Sequence, residues 1–195
     1  MSPTHVNPAA CAAFVVLAFS LAGLGQSVWL GSALSRRFAY PLDGGRTWRG
    51  RRVFGDNKTA RGFVFMVPAV AVSFATLRAF AALAGRADGL WRLSPAEYLA
   101  AGFLAGLGFM AGELPNSFVK RQLGIPPGAR PSGRLAAACS FLADRLDSVV
   151  GMLAVLSLAV QVPPLVWVYL LVVGPVIHGA FSVLVYRLGG KARAA

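Results

Sequence analysis

Two aspartates stand three residues apart inside a long apolar stretch of this sequence. Apolar segments flank Asp144 and Asp147 on both sides, across 135–143 and 148–160. At this spacing both carboxylates share one face of a helix, and a charge near mid-membrane costs roughly 2.5–3.5 kcal/mol on insertion scales, so such residues rarely lack a role. Carboxylate oxygens suit Mg²⁺, which also bridges phosphates. The pair predicts a magnesium site, and the alternative is a structural pair neutralised by an arginine.

A basic, glycine-rich segment at about 35–62 could bind phosphate. It combines Asp43 and Asp56 with several cations, among them Lys58 and Arg61. Glycine lets backbone amides approach a phosphate closely, while Lys and Arg neutralise it. A P-loop is excluded because its second glycine would have to stand immediately before the lysine, where Asn57 lies instead. The alternative is a loop whose charges serve only membrane insertion.

A third polar cluster follows at 113–121. Ser117 and Lys120 lie four and seven residues after Glu113, so the three side chains share a face if the segment is helical past Pro115. The alternative is an ordinary helix end with basic side chains reaching toward the membrane surface.

The composition indicates that these clusters belong to a membrane protein. Only 13% of the 195 residues are charged and 56% are hydrophobic, whereas about a quarter of a soluble domain is charged. Since a bilayer core needs about 20 apolar residues per helix, the chain divides into spans at roughly 11–34, 63–84, 96–114, 136–158 and 164–186. The last two are separated at Pro163 and Pro164, where helix continuation is disfavoured. We predict an all-α, polytopic protein of about five transmembrane helices, forming a single domain over 1–195.

The distribution of positive charge predicts the orientation. Eight Lys and Arg follow the first span, four follow the third and three lie in the C-terminal tail, against three on the opposite side. By the positive-inside rule the loops at about 35–62 and 115–135 and the C-terminus are cytoplasmic, and the N-terminus is outside. Because insertion and anionic headgroups account for the net charge of +12, no nucleic-acid partner is predicted.

At these residues the chain resembles the CDP-archaeol synthases, relatives of the phosphatidate cytidylyltransferases. The resemblance covers most of the chain, in order. It includes the segment from Pro41 to Gly62, the run from Ser117 to Arg121, the aspartate pair, and a C-terminal element with His178, Tyr186, Gly189, Gly190 and Lys191. Glu113 stands where the family usually has Asp, and Ala60 where it usually has Trp.

The resemblance implies that CTP and a lipid phosphate from the inner leaflet react to give a CDP-lipid and pyrophosphate, with Mg²⁺ as cofactor. It implies a multi-pass enzyme of the cell membrane whose active site faces the cytoplasm. The implied catalytic residues are Lys58, Lys120, Asp144 and Asp147, and the implied metal ligands are Asp144, Asp147 and Glu113. The implied nucleotide and phosphate contacts are Asp43, Asp56, Asn57, Thr59, Arg61, Ser117 and Arg121.

A non-enzymatic lipid-binding or transport protein is the alternative from another class. It would share the topology and the basic loops, but it gives no reason for an acid pair opposite two lysine-bearing loops. His178, a lone histidine in an apolar helix, is more often a buried hydrogen-bonding group than a catalyst. The sequence leaves open whether the lipid chains are ether-linked or ester-linked, and it is compatible with a homo-oligomer.

Overall fold

The computed structural model describes residues 6–129 and 131–187, which form a ring of five long helices. The elements are α1 (Pro8–Gly31), α2 (Ala33–Arg36), β1 (Thr47–Trp48), β2 (Arg51–Arg52), α3 (Ala60–Leu83), α4 (Pro95–Gln122), α5 (Arg134–Ala159) and α6 (Pro164–Arg187). Around the ring, α1 packs on α3, α3 on α4, α4 on α5, α5 on α6, and α6 on α1. The predicted helical fold is confirmed. Its exception is one antiparallel hairpin of two-residue strands.

Four helices of the described chain are long and apolar enough to cross a membrane. They are α1, α3, α4 and the Pro164–Leu184 part of α6. Helix α5 has 26 residues, but every 18-residue stretch of it includes Asp144, Arg145 and Asp147. The chain is thus a multi-pass membrane protein, and the fifth crossing stays a prediction.

Helix α4 is longer than the sequence indicated. It begins with a capping box between Ser94 and Glu97 and continues through Pro115 to Gln122. The helix therefore extends beyond the predicted third span, 96–114, and the first residues of the predicted loop at 115–135 are helical. The membrane boundary of this span stays a prediction. Proline removes one helical hydrogen bond, but side chains of the last two turns of α4 bond to α5, which offsets that loss.

An aromatic cluster fills the ring at the end remote from the hairpin. The Phe14 ring packs edge-on against Phe74, with centroids 5.0 Å apart, and against Tyr98 at 5.6 Å. The Tyr98 hydroxyl donates to the Trp91 carbonyl at 2.7 Å, and the Trp91 indole donates to the Gln161 carbonyl at 2.8 Å. These contacts join α1, α3 and α4 to both loops at that end.

Three glycines let α4 and α5 cross in backbone contact. A Cβ atom added at Gly108 would lie 2.5 Å from the Gly151 carbonyl oxygen, and one at Gly151 would lie 2.6 Å from the Gly112 Cα. A Cβ at Gly112 would in turn collide with the Asp147 carbonyl. Small residues at such positions allow close helix packing in lipid. Here they bring the aspartate-bearing part of α5 against α4.

We expect Gly151→Ala to force α4 and α5 apart, because the new methyl group would meet backbone that cannot rotate away. Overpacking of this kind costs about 1–3 kcal/mol, so the unfolding temperature in detergent should fall. The matched control is Gly31→Ala, since a Cβ at Gly31 would have nothing within 4 Å. Equal unfolding temperatures for the two variants would contradict the close crossing.

Candidate functional site

The segment at 41–59 forms a closed loop at the start of α3. Its two ends pair through an antiparallel bridge between Pro41 and Thr59, and the Leu42 amide donates to the Lys58 carbonyl at 2.8 Å. The Ala60 amide donates to the Tyr40 carbonyl at 3.1 Å. This pairing fixes Lys58 two residues before α3 begins, at the hairpin end of the ring.

Asp43 is the buried centre of this loop. Its side chain is 1% exposed and accepts hydrogen bonds from the Arg52 guanidinium at 2.6 Å and from the Phe54 and Gly55 amides at 2.9 and 3.0 Å. The Gly45 amide donates to the other oxygen at 3.0 Å. Asp43, predicted to shape the nucleotide site, therefore bonds to its own loop. It would influence nucleotide binding through the conformation of that loop.

These contacts also set the charge state of Asp43. Burial by itself would raise the pKa of the carboxyl, but the hydrogen bonds from Arg52 and from three backbone amides outweigh it and hold that pKa well below its usual range. Asp56 pairs with the same guanidinium at 2.7 Å, but its side chain is 74% exposed. Arg52, to which the sequence assigned no role, is thus the cation that joins the two loop acids.

An ion pair connects this loop to the helices. The Lys58 ammonium contacts Glu113 of α4, and the second oxygen of Glu113 accepts from the Ser148 hydroxyl of α5 at 2.9 Å. Both partners of the ion pair are about four-fifths buried. One chain of contacts therefore runs from the loop through α4 to α5.

The aspartate pair lies beside it on α5. The Asn116 amide of α4 donates to Asp144 at 2.7 Å and to Asp147 at 2.9 Å, so both carboxylates do share one face, as their spacing predicts. The Lys120 ammonium contacts Asp144 as well. Asn116 belongs to the polar cluster on α4 that the sequence singled out, but its own role was missed. Its position three residues after Glu113 was the only available signal.

The carboxylates of this site fit a magnesium ion in one respect and not in another. Asn116 draws one oxygen from each aspartate to the same point, and one or two carboxylates completed by phosphate oxygens are the usual protein ligands of Mg²⁺. However, no three His, Cys, Asp or Glu side chains of the described residues lie close enough together to hold one ion. The predicted trio of Asp144, Asp147 and Glu113 is not preassembled, because Glu113 pairs with Lys58 and the Ser148 hydroxyl lies between Glu113, at 2.9 Å, and Asp147, at 3.4 Å.

The two predicted arginine ligands have different surroundings. The Arg61 guanidinium donates to the Leu30 carbonyl and to the Ser35 hydroxyl at 2.8 Å, which ties it to the junction of α1 and α2. Arg121 is 7% exposed, and its Nε and Nη1 atoms are buried without a hydrogen-bond partner in the described chain. Its guanidinium lies beside Gly55. Arg121 is therefore the better candidate to bind an anion.

The other predicted residues lie around this centre. Asn57 is exposed, Thr59 is half-buried at the start of α3, and Ser117 is buried on α4. The His178 ring lies 6.2 Å from the Phe109 ring. Three members of the C-terminal element lie outside the described residues, namely Gly189, Gly190 and Lys191.

Comparisons with known proteins show which family the chain is similar to. The family model described as CarS-like, CDP-archaeol synthase, matches residues 32–193. The chain is 34% identical over 160 residues to a CDP-archaeol synthase of Methanospirillum hungatei, which covers 77% of this chain and 87% of that protein. It is 37% identical over 158 residues to one of Halorubrum lacusprofundi, with 77% and 81% covered.

A solved structure is also similar. It is described as structural insight into an intramembrane enzyme for archaeal membrane lipids biosynthesis. Its sequence is 27% identical, its TM-score is 0.54, and the match covers 82% of this chain and 90% of that one.

We expect Asp43→Asn to open the loop at pH 7, because an amide cannot replace a carboxylate that accepts from Arg52 and three backbone amides. Since the folded pKa lies below the ordinary value of 3.8, the stabilisation by the carboxylate is complete above that pH and is lost only as pH falls through the folded pKa. The native loop should therefore stay closed at pH 5. Hydrogen exchange of the Phe54 and Gly55 amides measures both effects.

The matched control for this prediction is Asp56→Asn, which removes an exposed acid from the same guanidinium. It should leave the exchange of both amides nearly unchanged. If the two variants exchange equally fast, Asp43 is not the centre of the loop.

Proposed function

Because the chain belongs to the CDP-archaeol synthase family, we propose that it transfers a cytidylyl group from CTP to archaetidic acid, forming CDP-archaeol and pyrophosphate. Membership makes the protein a lipid-phosphate cytidylyltransferase of the membrane, and the non-enzymatic alternative is excluded. The observation that carries the proposal is the meeting of two lysines with three carboxylates at one end of the ring. Lys58 contacts Glu113, and Lys120 contacts the Asp144 that Asn116 joins to Asp147.

The reaction requires charge neutralisation more than covalent chemistry. An oxygen of the lipid phosphate forms a bond to the α-phosphorus of CTP, the α–β phosphoanhydride bond breaks, and its electron pair leaves on pyrophosphate. No protein nucleophile is needed. Catalysis of such a step depends on positioning and on preorganised charge, which ordered ion pairs at the mouth of the ring can supply.

The cations of the site are suited to the phosphates of CTP. Their carboxylate partners hold Lys58 and Lys120 in fixed positions before substrate binds, so less side-chain entropy is lost on binding. Arg121 adds buried donors beside Gly55. We assign phosphate binding to these three residues, with nearby hydrogen bonds from Asn57, Thr59 and Ser117. Arg61 would instead support the loop from its contacts at Ser35.

Asp144 and Asp147 are the residues that would hold Mg²⁺. Their oxygens already converge on the Asn116 amide. When bound, the ion would supply positive charge to the phosphates and orient them. Glu113 would act through Lys58 and Ser148, outside the set of direct ligands.

The charge distribution supports a cytoplasmic site in a five-span protein. The loop at 41–59 and the cytoplasmic ends of α4 and α5 share one end of the ring, and the basic residues are concentrated there. The opposite end carries the aromatic cluster. With this orientation CTP enters from the cytoplasm, and the lipid comes from the inner leaflet.

Single cysteines in a chain without Cys11 and Cys139 test this orientation and the crossing by α5. Membrane-impermeant reagent should label Thr47→Cys and Ser132→Cys only from the cytoplasmic side, because both precede long helices at the site end. It should label Asp88→Cys and Gln161→Cys only from outside. Labelling of Ser132→Cys and Gln161→Cys from the same side would show that α5 does not cross.

The activity itself is tested with labelled CTP and the purified protein in lipid. The wild type should convert archaetidic acid, and we expect more product from it than from phosphatidic acid. Asp144→Asn and Asp147→Asn should each abolish product, since the amide keeps the shape and loses the charge. Because the two act as one unit, the double variant should be hardly worse than either single one.

The control for these variants is Asp88→Asn, an exposed acid at the opposite end, which should keep full activity. Activity is measured across a Mg²⁺ titration, with thermal unfolding in parallel. Substantial product from Asp147→Asn at ordinary Mg²⁺ would refute the metal assignment. A collapsed fold in the single variants would return the pair to a structural role.

A further inference from the structure

The proposed reaction assigns no role to Arg145, a charged residue of α5. Four carboxylates of the described residues pair with Arg52, Lys58 and Lys120, and no ion pair of the described residues includes Arg145. Its guanidinium stacks on the Phe141 ring at 3.5 Å and donates to the Phe141 carbonyl at a long 3.4 Å. Within the predicted span at 136–158 such a charge would be costly, and an ionisable residue inside a span is a functional-site hypothesis by default.

Arg145 points to a different neighbour from the aspartates. Asp144 and Asp147 face α4, whereas a Cβ added at Gly179 of α6 would lie 3.8 Å from the Arg145 Nε atom. The guanidinium therefore lies in the seam between α5 and α6. A Cβ at this glycine would already be in van der Waals contact with the guanidinium, so a larger side chain there would crowd it.

The surface of α5 at the site end of this seam is apolar. The first turns of α5 are apolar and exposed, with Leu135 79%, Phe141 48% and Leu142 55% exposed. A ligand with apolar chains is therefore suited to reach Arg145 along this surface of α5.

We propose that Arg145 binds the phosphate monoester of the lipid substrate as it enters sideways from the bilayer through the seam between α5 and α6. Phe141 covers one face of the guanidinium and accepts one long hydrogen bond from Nη1. The remaining N–H donors match two phosphate oxygens. Asp144 is the adjacent residue of the same helix, so a lipid phosphate held by Arg145 would lie next to the α5 turn that carries the aspartates. The inference rests on the proposed function and adds the lipid-binding residue to it.

Arg145→Gln and Arg145→Lys in lipid nanodiscs test this role. Since charged hydrogen bonds contribute about 1.5–3 kcal/mol, the KM for the lipid phosphate should rise at least tenfold in Arg145→Gln and less in Arg145→Lys. The KM for CTP should stay within about twofold. The matched control is Arg134→Gln, an exposed arginine at the start of the same helix, which should change neither constant.

Binding is measured separately from turnover. With EDTA present and CTP absent, archaetidic acid should raise the unfolding temperature of the wild type and of Arg134→Gln, but not that of Arg145→Gln. Glycerol phosphate, which has the headgroup without the chains, should have no such effect. A common phosphodiester lipid that matched the effect of archaetidic acid would overturn the proposal, because Arg145 would then bind any anionic lipid.

A second variant keeps the inference testable if Arg145→Gln does not fold. Gly179→Val crowds the guanidinium without changing any charge, and it should likewise raise the KM for the lipid alone. An unchanged lipid KM in Gly179→Val, or a rise in both constants for Arg145→Gln, would refute the role. Absence of any cytidylyl transfer by the wild type would refute the proposed function instead, whereas normal activity with an unchanged lipid KM would refute only this inference.

Discussion

The backbone contact between α4 and α5 at Gly108, Gly112 and Gly151 is the constraint on which the site depends. With side chains at these positions the helix axes would have to separate, and the short side chain of Asn116 could no longer reach both aspartates. The same crossing brings Ser148 within 2.9 Å of Glu113. Three residues without side chains thus set the geometry of the polar ones.

Polar contacts then organise the loop around this helix pair. Breaking one partner of a buried ion pair is costly because the other charge stays buried, so Lys58 and Glu113 constrain each other and the start of α3. Within the loop, Asp43 plays the same part for Arg52 and the amides of Phe54 and Gly55. The result is a site whose charges are held in place by other charges, which is the preorganisation that phosphoryl chemistry requires.

Sequence patterns predicted the helices better than the contacts between side chains. Apolar blocks located the five long helices, and the spacing of Asp144 and Asp147 placed them on one face, because helical periodicity is a local property. The sequence left open whether the helix continues past Pro115, since the cost of proline is local while the contacts that offset it come from α5. The contacts of Arg61 with Ser35, and of Asp43 with its own loop, depend on tertiary packing that no spacing reveals. Asn116 belongs to the polar cluster at 113–121, but the sequence assigned it no role for the same reason.

The aromatic cluster at the far end of the ring limits where a lipid can go. Phe14, Phe74 and Tyr98 fill the space between α1, α3 and α4, and the bond from Trp91 to Gln161 closes the loops over it. These packed side chains separate the polar centre from the opposite end of the ring. Under the proposed function, a lipid that reacts at the polar centre would therefore enter and leave on the side of the membrane where the site lies.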